Sequence, residues 1–178
     1  EQFRKEPDVA RNFLRNGAVP PLGTLIRQPE LAATLDYLAR HGLESFYSGE
    51  LAEKLVAGVR AQGGAWTTAD LAAYRAVERA PLVGHYRGAR VVSAPPPSSG
   101  GVGLIEALNV LAQFDLPHAQ PLEREQLVIE AMRRAHRDRA VYLGDPDFVD
   151  IPVARLISSD YAAGLAAGIR TDHATPSS

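Results

Sequence analysis

Apolar residues in the first part of the chain recur at helical spacing. They form two stripes, the first Leu31, Leu35 and Leu38, the second Leu51, Leu55, Val56 and Val59. Pro29 suits the first turn of the first helix, and Gly42 is a stop signal after about three turns. Gly63-Gly64 ends the second pattern. The spacing therefore predicts two amphipathic helices.

The pattern then becomes shorter and changes period. Thr67 and Asp70 are a capping pair, which predicts a short helix through Tyr74. Short apolar runs follow between residues 77 and 94 and surround Arg87-Gly88-Ala89. This arrangement predicts a tight β-hairpin. Pro95-Pro96-Pro97 must end it, because three successive residues lack a backbone donor.

Two longer helical stripes occupy the second half of the chain. Ser98 or Ser99 is expected to cap the first helix, and Gly100-Gly101 allows another backbone to lie close to its start. Its apolar stripe is Leu104, Ile105, Leu108, Leu111 and Phe114. We expect this stripe, or that of Val128, Ala131, Met132 and Ala135 further along the chain, to pack on sheet strands that lie outside the chain. The chain offers only one short hairpin of its own.

The other helix is predicted from about Leu122 to Tyr142, ending at Gly144-Asp145-Pro146. Its buried side is expected to carry Leu127, Val128, Ala131, Met132 and Ala135, with Glu130, Arg134 and Asp138 on another side. Pro152 and Ser158-Ser159-Asp160 open two further short helical stretches, the second reaching about Ala167. The predicted fold class is mainly α with one short β-hairpin.

Composition sets limits on the class of protein. The 178 residues are 46% hydrophobic and 22% charged, with a formal net charge of −2, so no basic field favours nucleic acid or an anionic membrane as a partner. The absence of cysteine excludes disulfides and thiol chemistry in this chain. No apolar run approaches the ~20 residues of a membrane span. Because the first residue is Glu1 and not Met, we expect either a chain cut from a longer precursor or one portion of a larger protein.

Two groups of polar residues could suggest a metal site. The histidines are His41, His85, His118, His136 and His173. No pair of them has the three- or four-residue spacing that places two ligands on one helix face, so ordinary core or surface histidines are favoured. The acidic loop of Asp145, Asp147 and Asp150 resembles a calcium loop but lacks the central glycine and the distal glutamate. Turn capping is the favoured interpretation.

Two other groups could suggest anion binding or nucleophilic chemistry. Ser98-Ser99-Gly100-Gly101 matches neither a nucleophile elbow nor a phosphate loop, so capping and close packing are favoured. A basic cluster comprises Arg133, Arg134, Arg137 and Arg139. Glu130 and Asp138 are interleaved with it, which favours a solvated or ion-paired helix face. Lone charges such as Lys54 and Glu106 are expected to face solvent.

Short motifs follow one another along the chain in a distinctive order. They are Phe46-Tyr47-Ser48-Gly49, Gly63-Gly64 with Thr67, Asp70-Leu71-Ala72-Ala73-Tyr74, Tyr86-Arg87-Gly88, Pro95-Pro96-Pro97-Ser98-Ser99-Gly100-Gly101, Asp138-Arg139 and Tyr142-Leu143-Gly144-Asp145-Pro146-Asp147-Phe148. Their order and spacing resemble the γ-glutamyltranspeptidase family over nearly all of the chain. The proline-rich and Gly-Asp-Pro-Asp-Phe segments are the most specific parts.

The resemblance implies an N-terminal nucleophile hydrolase of αββα architecture, completed by segments outside this chain. Residues 1–170 would form a single helical segment, in the C-terminal half of the large subunit, and residues 171–178 would begin the linker toward a self-cleavage site. Such enzymes are made as inactive precursors that cut themselves before a threonine. The hydroxyl of that threonine attacks the γ-glutamyl amide of glutathione, and water, an amino acid or a peptide then takes the acyl group.

The resemblance assigns no catalytic, substrate-binding or metal-binding residue to this chain, and it implies no cofactor. The threonine nucleophile would belong to the small subunit, so Thr171 and Thr175 are not candidates. The motif residues with structural roles are Pro95, Pro96, Pro97, Ser98, Ser99, Gly100, Gly101, Asp138, Arg139, Gly144, Asp145 and Pro146. The partners would be the rest of the large subunit and the small subunit, in a bacterial periplasmic or secreted enzyme.

Two alternatives remain open. A related acylase of the same superfamily would act on other amides, such as glutaryl-cephalosporins. A stand-alone helical interaction domain would have no activity.

Overall fold

The computed structural model describes residues 2–175. The chain divides between Ala76 and Val77 into two compact units. Within the described residues the secondary structure is helical apart from one two-stranded sheet and an isolated bridge between Arg15 and Ala18. This confirms the predicted class, mainly α with one short hairpin.

The first unit contains the helices predicted from the two early stripes. Its elements are α1 (Gln2–Lys5), α2 (Pro7–Phe13), α3 (Pro29–His41), a 3₁₀ turn (Leu43–Phe46), α4 (Glu50–Ala61) and α5 (Thr68–Ala73). Gly42 ends α3 with φ 82°, and its N–H donates to the Leu38 carbonyl at 2.9 Å. Leu31 and Leu35 are half exposed, so the α3 stripe is only partly covered within this unit.

The capping pair predicted for α5 is present as a complete capping box. The Asp70 N–H donates to Thr67 Oγ1 at 3.2 Å, and the Thr67 N–H donates to Asp70 Oδ2 at 2.7 Å. Each side chain thus satisfies a backbone donor of the other residue, which fixes where α5 begins. The hydrogen bonds from Thr67 also lower the pKa of the Asp70 carboxyl.

The second unit opens with the predicted hairpin. Strands β1 (Leu82–Tyr86) and β2 (Ala89–Ser93) pair antiparallel, from Leu82 opposite Ser93 to Tyr86 opposite Ala89. Arg87 and Gly88 form the turn with φ 48° and 83°. Positive φ at both central positions is the type I′ geometry that matches the twist of a two-residue hairpin.

Helices α6 (Gly100–Leu111), α7 (Pro121–Tyr142), α8 (Val153–Leu156) and α9 (Ser159–Ala167) complete this unit. The main core cluster is Val110, Leu111, Leu116, Leu127, Ala131, Ala162, Ala166 and Ile169. Ala131 and Ala162 are completely buried. Ser158 caps α9, as predicted, by accepting from the Tyr161 N–H at 3.2 Å.

Part of each predicted stripe is not buried in this chain. Leu127, Ala131 and Ala135 of α7 are buried, but Met132 is 50% exposed and Leu104 of α6 is 47% exposed. Met132, predicted on the buried side of α7, is therefore not buried by the residues of this chain, and its cover by segments outside the chain stays a prediction. Helical periodicity identifies a broad apolar face, but neighbouring elements decide how much of that face is covered.

Candidate functional site

The segment that joins the hairpin to α6 is shaped by close backbone contact. The Pro96-Pro97 peptide bond is cis, and Pro96 is buried. A Cβ on Gly101 would lie 2.2 Å from the Ala94 carbonyl oxygen and 3.1 Å from Ser93 Oγ. Only glycine fits at this position, so the close backbone approach predicted for the Gly100-Gly101 pair is confirmed at Gly101. A Cβ on Gly100 would meet nothing nearer than 3.8 Å.

The serine before α6 does not act as the predicted cap. Ser99 has helical dihedral angles, φ −79° and ψ −17°, and its side chain caps no backbone N–H. Its Oγ instead accepts a hydrogen bond from Arg139 Nε at 2.9 Å. A cap residue needs extended dihedrals to turn its hydroxyl toward the helix start, so the capping prediction was wrong here. The bond joins the proline-rich motif directly to the Asp138-Arg139 motif.

A carboxyl pair lies buried between α6, α7 and α9. Glu106 and Asp138 are each 1% exposed, so the expectation that Glu106 faces solvent was wrong. Tyr161 of α9 donates its hydroxyl to Asp138 Oδ2 at 2.5 Å. Glu106 Oε1 and Asp138 Oδ1 accept no hydrogen bond from the residues the structure describes. Arg137 lies 3.5 Å from Asp138 Oδ1 but is largely exposed.

The environment of this pair determines its protonation. Burial first, and the charge of Asp138 second, raise the pKa of Glu106 to about 8. Burial and the bond to Asp138 likewise raise the pKa of Tyr161 to about 12. Ionising both carboxyl groups in one buried site has a high free-energy cost, so the pair holds one proton at neutral pH.

A second buried carboxylate, Glu130, is fully paired. Arg133 Nη1 donates to Oε1 at 2.8 Å and Arg134 Nη1 to Oε2 at 2.5 Å. Thr175 donates its N–H to Oε1 at 3.1 Å and its hydroxyl to Oε2 at 2.5 Å. Burial alone would raise the pKa of Glu130, but the hydrogen bonds from Thr175 and Arg134 outweigh it and lower the pKa to about 2.

These contacts settle the interpretation of the basic cluster on α7. The ion-paired interpretation is confirmed for Glu130 with Arg133 and Arg134. Arg137 is largely exposed, as a solvated face predicts, whereas the carboxylates of Glu130 and Asp138 are buried. Carboxylates on a long helix can be buried where arginine side chains and hydroxyl groups donate hydrogen bonds to them.

The acidic loop after α7 is a capped turn, as predicted. The Asp147 N–H donates to Asp145 Oδ1 at 3.0 Å, and Arg79 Nη2 donates to both oxygens of Asp147 at 2.8 and 2.7 Å. Across residues 2–175 there is no group of three or more side chains placed to hold a metal ion. The described ring contacts of His118 and His173 are with the neighbouring aspartates Asp115 and Asp172.

An apolar groove of about 390 Å³ runs between α6 and α7. Leu104, Leu108 and Met132 line it, with Ser99, His136 and Arg139 among its polar members. No hydroxyl among the described residues is hydrogen-bonded to a histidine. The hydroxyls of Ser99, Ser158 and Thr175 bond instead to an arginine, a backbone N–H and a carboxylate, respectively. These hydrogen bonds join elements of the same unit to one another. None of the helices in residues 2–175 combines the length and the apolar character of a membrane span.

Comparison with known proteins identifies the family. Residues 1–178 match the sequence model of the family described as Gamma-glutamyltranspeptidase. The chain therefore belongs to the γ-glutamyltranspeptidase family, as the order of its motifs predicted.

Curated relatives are longer than this chain. It is 41% identical over 168 residues to the glutathione hydrolase proenzyme of Escherichia coli (strain K12), a match that covers 93% of this chain and 29% of the relative. It is 38% identical over 160 residues to the Acylase ACY 1 proenzyme of Pseudomonas sp. (strain SE83), covering 89% of this chain and 29% of that relative. The chain thus spans less than a third of these proenzymes.

A solved structure agrees. The γ-glutamyltranspeptidase of Helicobacter pylori superimposes with a TM-score of 0.81 at 38% identity, covering 98% of this chain and 51% of that chain.

Proposed function

We propose that this chain belongs to a protein that cleaves the γ-glutamyl amide of glutathione and transfers the γ-glutamyl group to water, an amino acid or a peptide. The support is the match of the whole chain to the family, together with similarity to a relative named glutathione hydrolase proenzyme. In the proposed reaction a threonine hydroxyl attacks the γ-carbonyl carbon. The amine leaves with a proton, and water or an acceptor amine then breaks the resulting ester.

In this proposal the chain is scaffold, and the nucleophile lies outside it. Residues 1–170 form a single segment of the large subunit, and residues 171–178 begin the linker toward the self-cleavage site. The proposal is favoured by the way the motif residues are used. Ser99, Gly101, Asp138 and Arg139 contact other parts of the same unit and leave no nucleophile and base paired among the described residues.

The rest of the architecture is proposed to come from the remaining large subunit and the small subunit. Strands from those segments would cover the half-exposed Leu104 and Met132 on either side of the groove between α6 and α7. Apolar side chains at the rim of a groove gain free energy when a second layer covers them. An αββα arrangement of an N-terminal nucleophile hydrolase would supply that layer. The location we propose is the bacterial periplasm or the medium.

An acylase acting on other amides is the second candidate, supported by the similarity to the Acylase ACY 1 proenzyme. The residues that would select between a γ-glutamyl and a glutaryl group lie outside this chain in either case. The stand-alone interaction domain is not favoured, because the chain belongs to an enzyme family and spans less than a third of its proenzyme relatives.

The test uses the full-length protein. The purified protein is followed by intact mass for cleavage into two subunits, and then assayed with glutathione and with a glutaryl amide. The matched control replaces the threonine at the new N-terminus with alanine. Self-cleavage and glutathione turnover in the wild type alone are expected. A protein that stays in one piece and releases no glutamate would refute the proposal, and turnover of the glutaryl amide alone would support the acylase.

A further inference from the structure

Residues 171–175 are tied to α7 by polar contacts. Thr175 is bonded to Glu130 through both its N–H and its hydroxyl, and Arg134 Nη2 donates to Thr175 Oγ1 at 3.3 Å. Gln126 Nε2 also donates to the His173 carbonyl at 3.1 Å. We call Glu130, Arg134 and Thr175 the Glu130 clamp.

Two members of the clamp, Glu130 and Arg134, are held in fixed positions on α7. Glu130 is completely buried on α7, and Arg134 is 13% exposed. Arg134 also donates Nε to the Leu165 carbonyl of α9 at 3.0 Å, so its guanidinium is fixed between two helices. A buried carboxylate whose oxygens are all occupied holds its donors in one geometry.

Nothing apolar replaces the clamp as an anchor for this segment. The sequence from 171 to 175 is Thr-Asp-His-Ala-Thr, and its first four residues are exposed. Burial of apolar area therefore contributes little to holding it. The segment lies on α7 through its polar contacts, those of Thr175 with Glu130 and Arg134 and that of the His173 carbonyl with Gln126.

We propose that Glu130, Arg134 and Thr175 are positioning residues for self-cleavage, because they hold the first residues of the linker, 171–175, on α7. This rests on the proposed function, in which residues 171–178 begin that linker. A tethered segment samples a smaller volume when its base is fixed, which raises the effective concentration of its distal part at the site. The clamp would then speed self-cleavage without touching the reacting atoms.

Thr175 offers a matched pair of variants for the test. Thr175→Val keeps the shape and removes the hydroxyl donor, so that among the described residues Glu130 Oε2 keeps only the hydrogen bond from Arg134. Thr175→Ser keeps the donor. Glu125→Gln removes a charge from an exposed position on the same helix and serves as the control. The full-length precursor of each is followed by intact mass during self-cleavage, and kcat/KM is measured per processed enzyme.

We expect Thr175→Val to cleave about tenfold more slowly or worse, since losing a hydrogen bond to a buried charge changes an equilibrium by about that factor. Thr175→Ser and Glu125→Gln should cleave at the wild-type rate, and kcat/KM should be equal in all four. Equal cleavage rates for Thr175→Val and wild type would refute the role of the clamp in self-cleavage and leave the proposed function intact. Equal slowing in Thr175→Ser, or a matching loss of kcat/KM, would also overturn it. If the wild-type precursor never cleaves, the proposed function itself is refuted.

Discussion

Replacing Glu106 with glutamine tests the proton held between α6 and α7. Glutamine has nearly the shape of a protonated glutamic acid and does not titrate. In the folded protein the pKa of Glu106 is about 8, against 4.5 for the ordinary side chain, with burial as the larger cause. The folded state therefore keeps a proton that the unfolded chain releases.

The sign of the pH dependence follows from this difference. Because the folded pKa is the higher one, the contribution of Glu106 to stability is complete below about pH 4.5 and is lost as pH rises toward 8. Each unit of pKa corresponds to about 1.4 kcal/mol, so the loss over this window amounts to several kcal/mol. Glu106→Gln removes that loss, and its advantage over the wild type should grow from pH 5 to 8 and then level off.

The assay is the thermal midpoint of the full-length protein at half-unit pH steps, wild type against Glu106→Gln. Taking the difference between the two curves cancels the titrating groups that do not interact with Glu106. Infrared spectra at pH 7 provide a direct check, since a protonated carboxyl absorbs apart from a carboxylate and its band should vanish in the variant. A difference curve that stays flat between pH 5 and 8 would refute the buried proton.

Three further substitutions test the packing of the same unit. Gly101→Ala should destabilise the protein by more than about 2 kcal/mol, because its Cβ would meet a backbone carbonyl at 2.2 Å. Gly100→Ala is the control, since the nearest atom to its Cβ would be at 3.8 Å. Equal losses of stability in the two variants would contradict the close contact at Gly101. Leu108→Ala in the full-length protein should cost ~2–5 kcal/mol if other segments cover its stripe, whereas a loss under about 1 kcal/mol, read from denaturant midpoints, would count against that cover. Tyr161→Phe should cost about 1.5–3 kcal/mol by removing the bond to Asp138, and an unchanged thermal midpoint would argue that the bond contributes nothing.

Local signals were sufficient for most of the secondary structure. Thr67 and Asp70 specify a capping box by their spacing alone, and Arg87-Gly88 specifies a two-residue turn. Both depend on residues a few positions apart, so no knowledge of the rest of the fold is needed. Gly101 was recognised as a packing glycine, although its partner, the Ala94 carbonyl, could be known only from the structure.

The buried polar groups could not be placed from local pattern. Glu106 had a usable signal, because it is the one charged residue in a helix whose other members are apolar or Asn109. Asp138 and Glu130 carried no such signal, since charged residues surround both on α7. Their burial depends on Tyr161 and Thr175, which are distant in sequence. Ser99 was misread for the same reason, as its partner Arg139 lies 40 residues away.

Helix α7 ties three separate parts of its unit together from one short stretch. Glu130 binds the segment at 175, Asp138 binds α9 through Tyr161, and Arg139 binds the start of α6. Each residue advances the direction of a helix by about 100°, so one inserted or deleted residue between 130 and 138 would turn these groups away from one another. The length of that stretch is consequently fixed as strictly as its side chains, and changes in length should be confined to the loops that flank the helix.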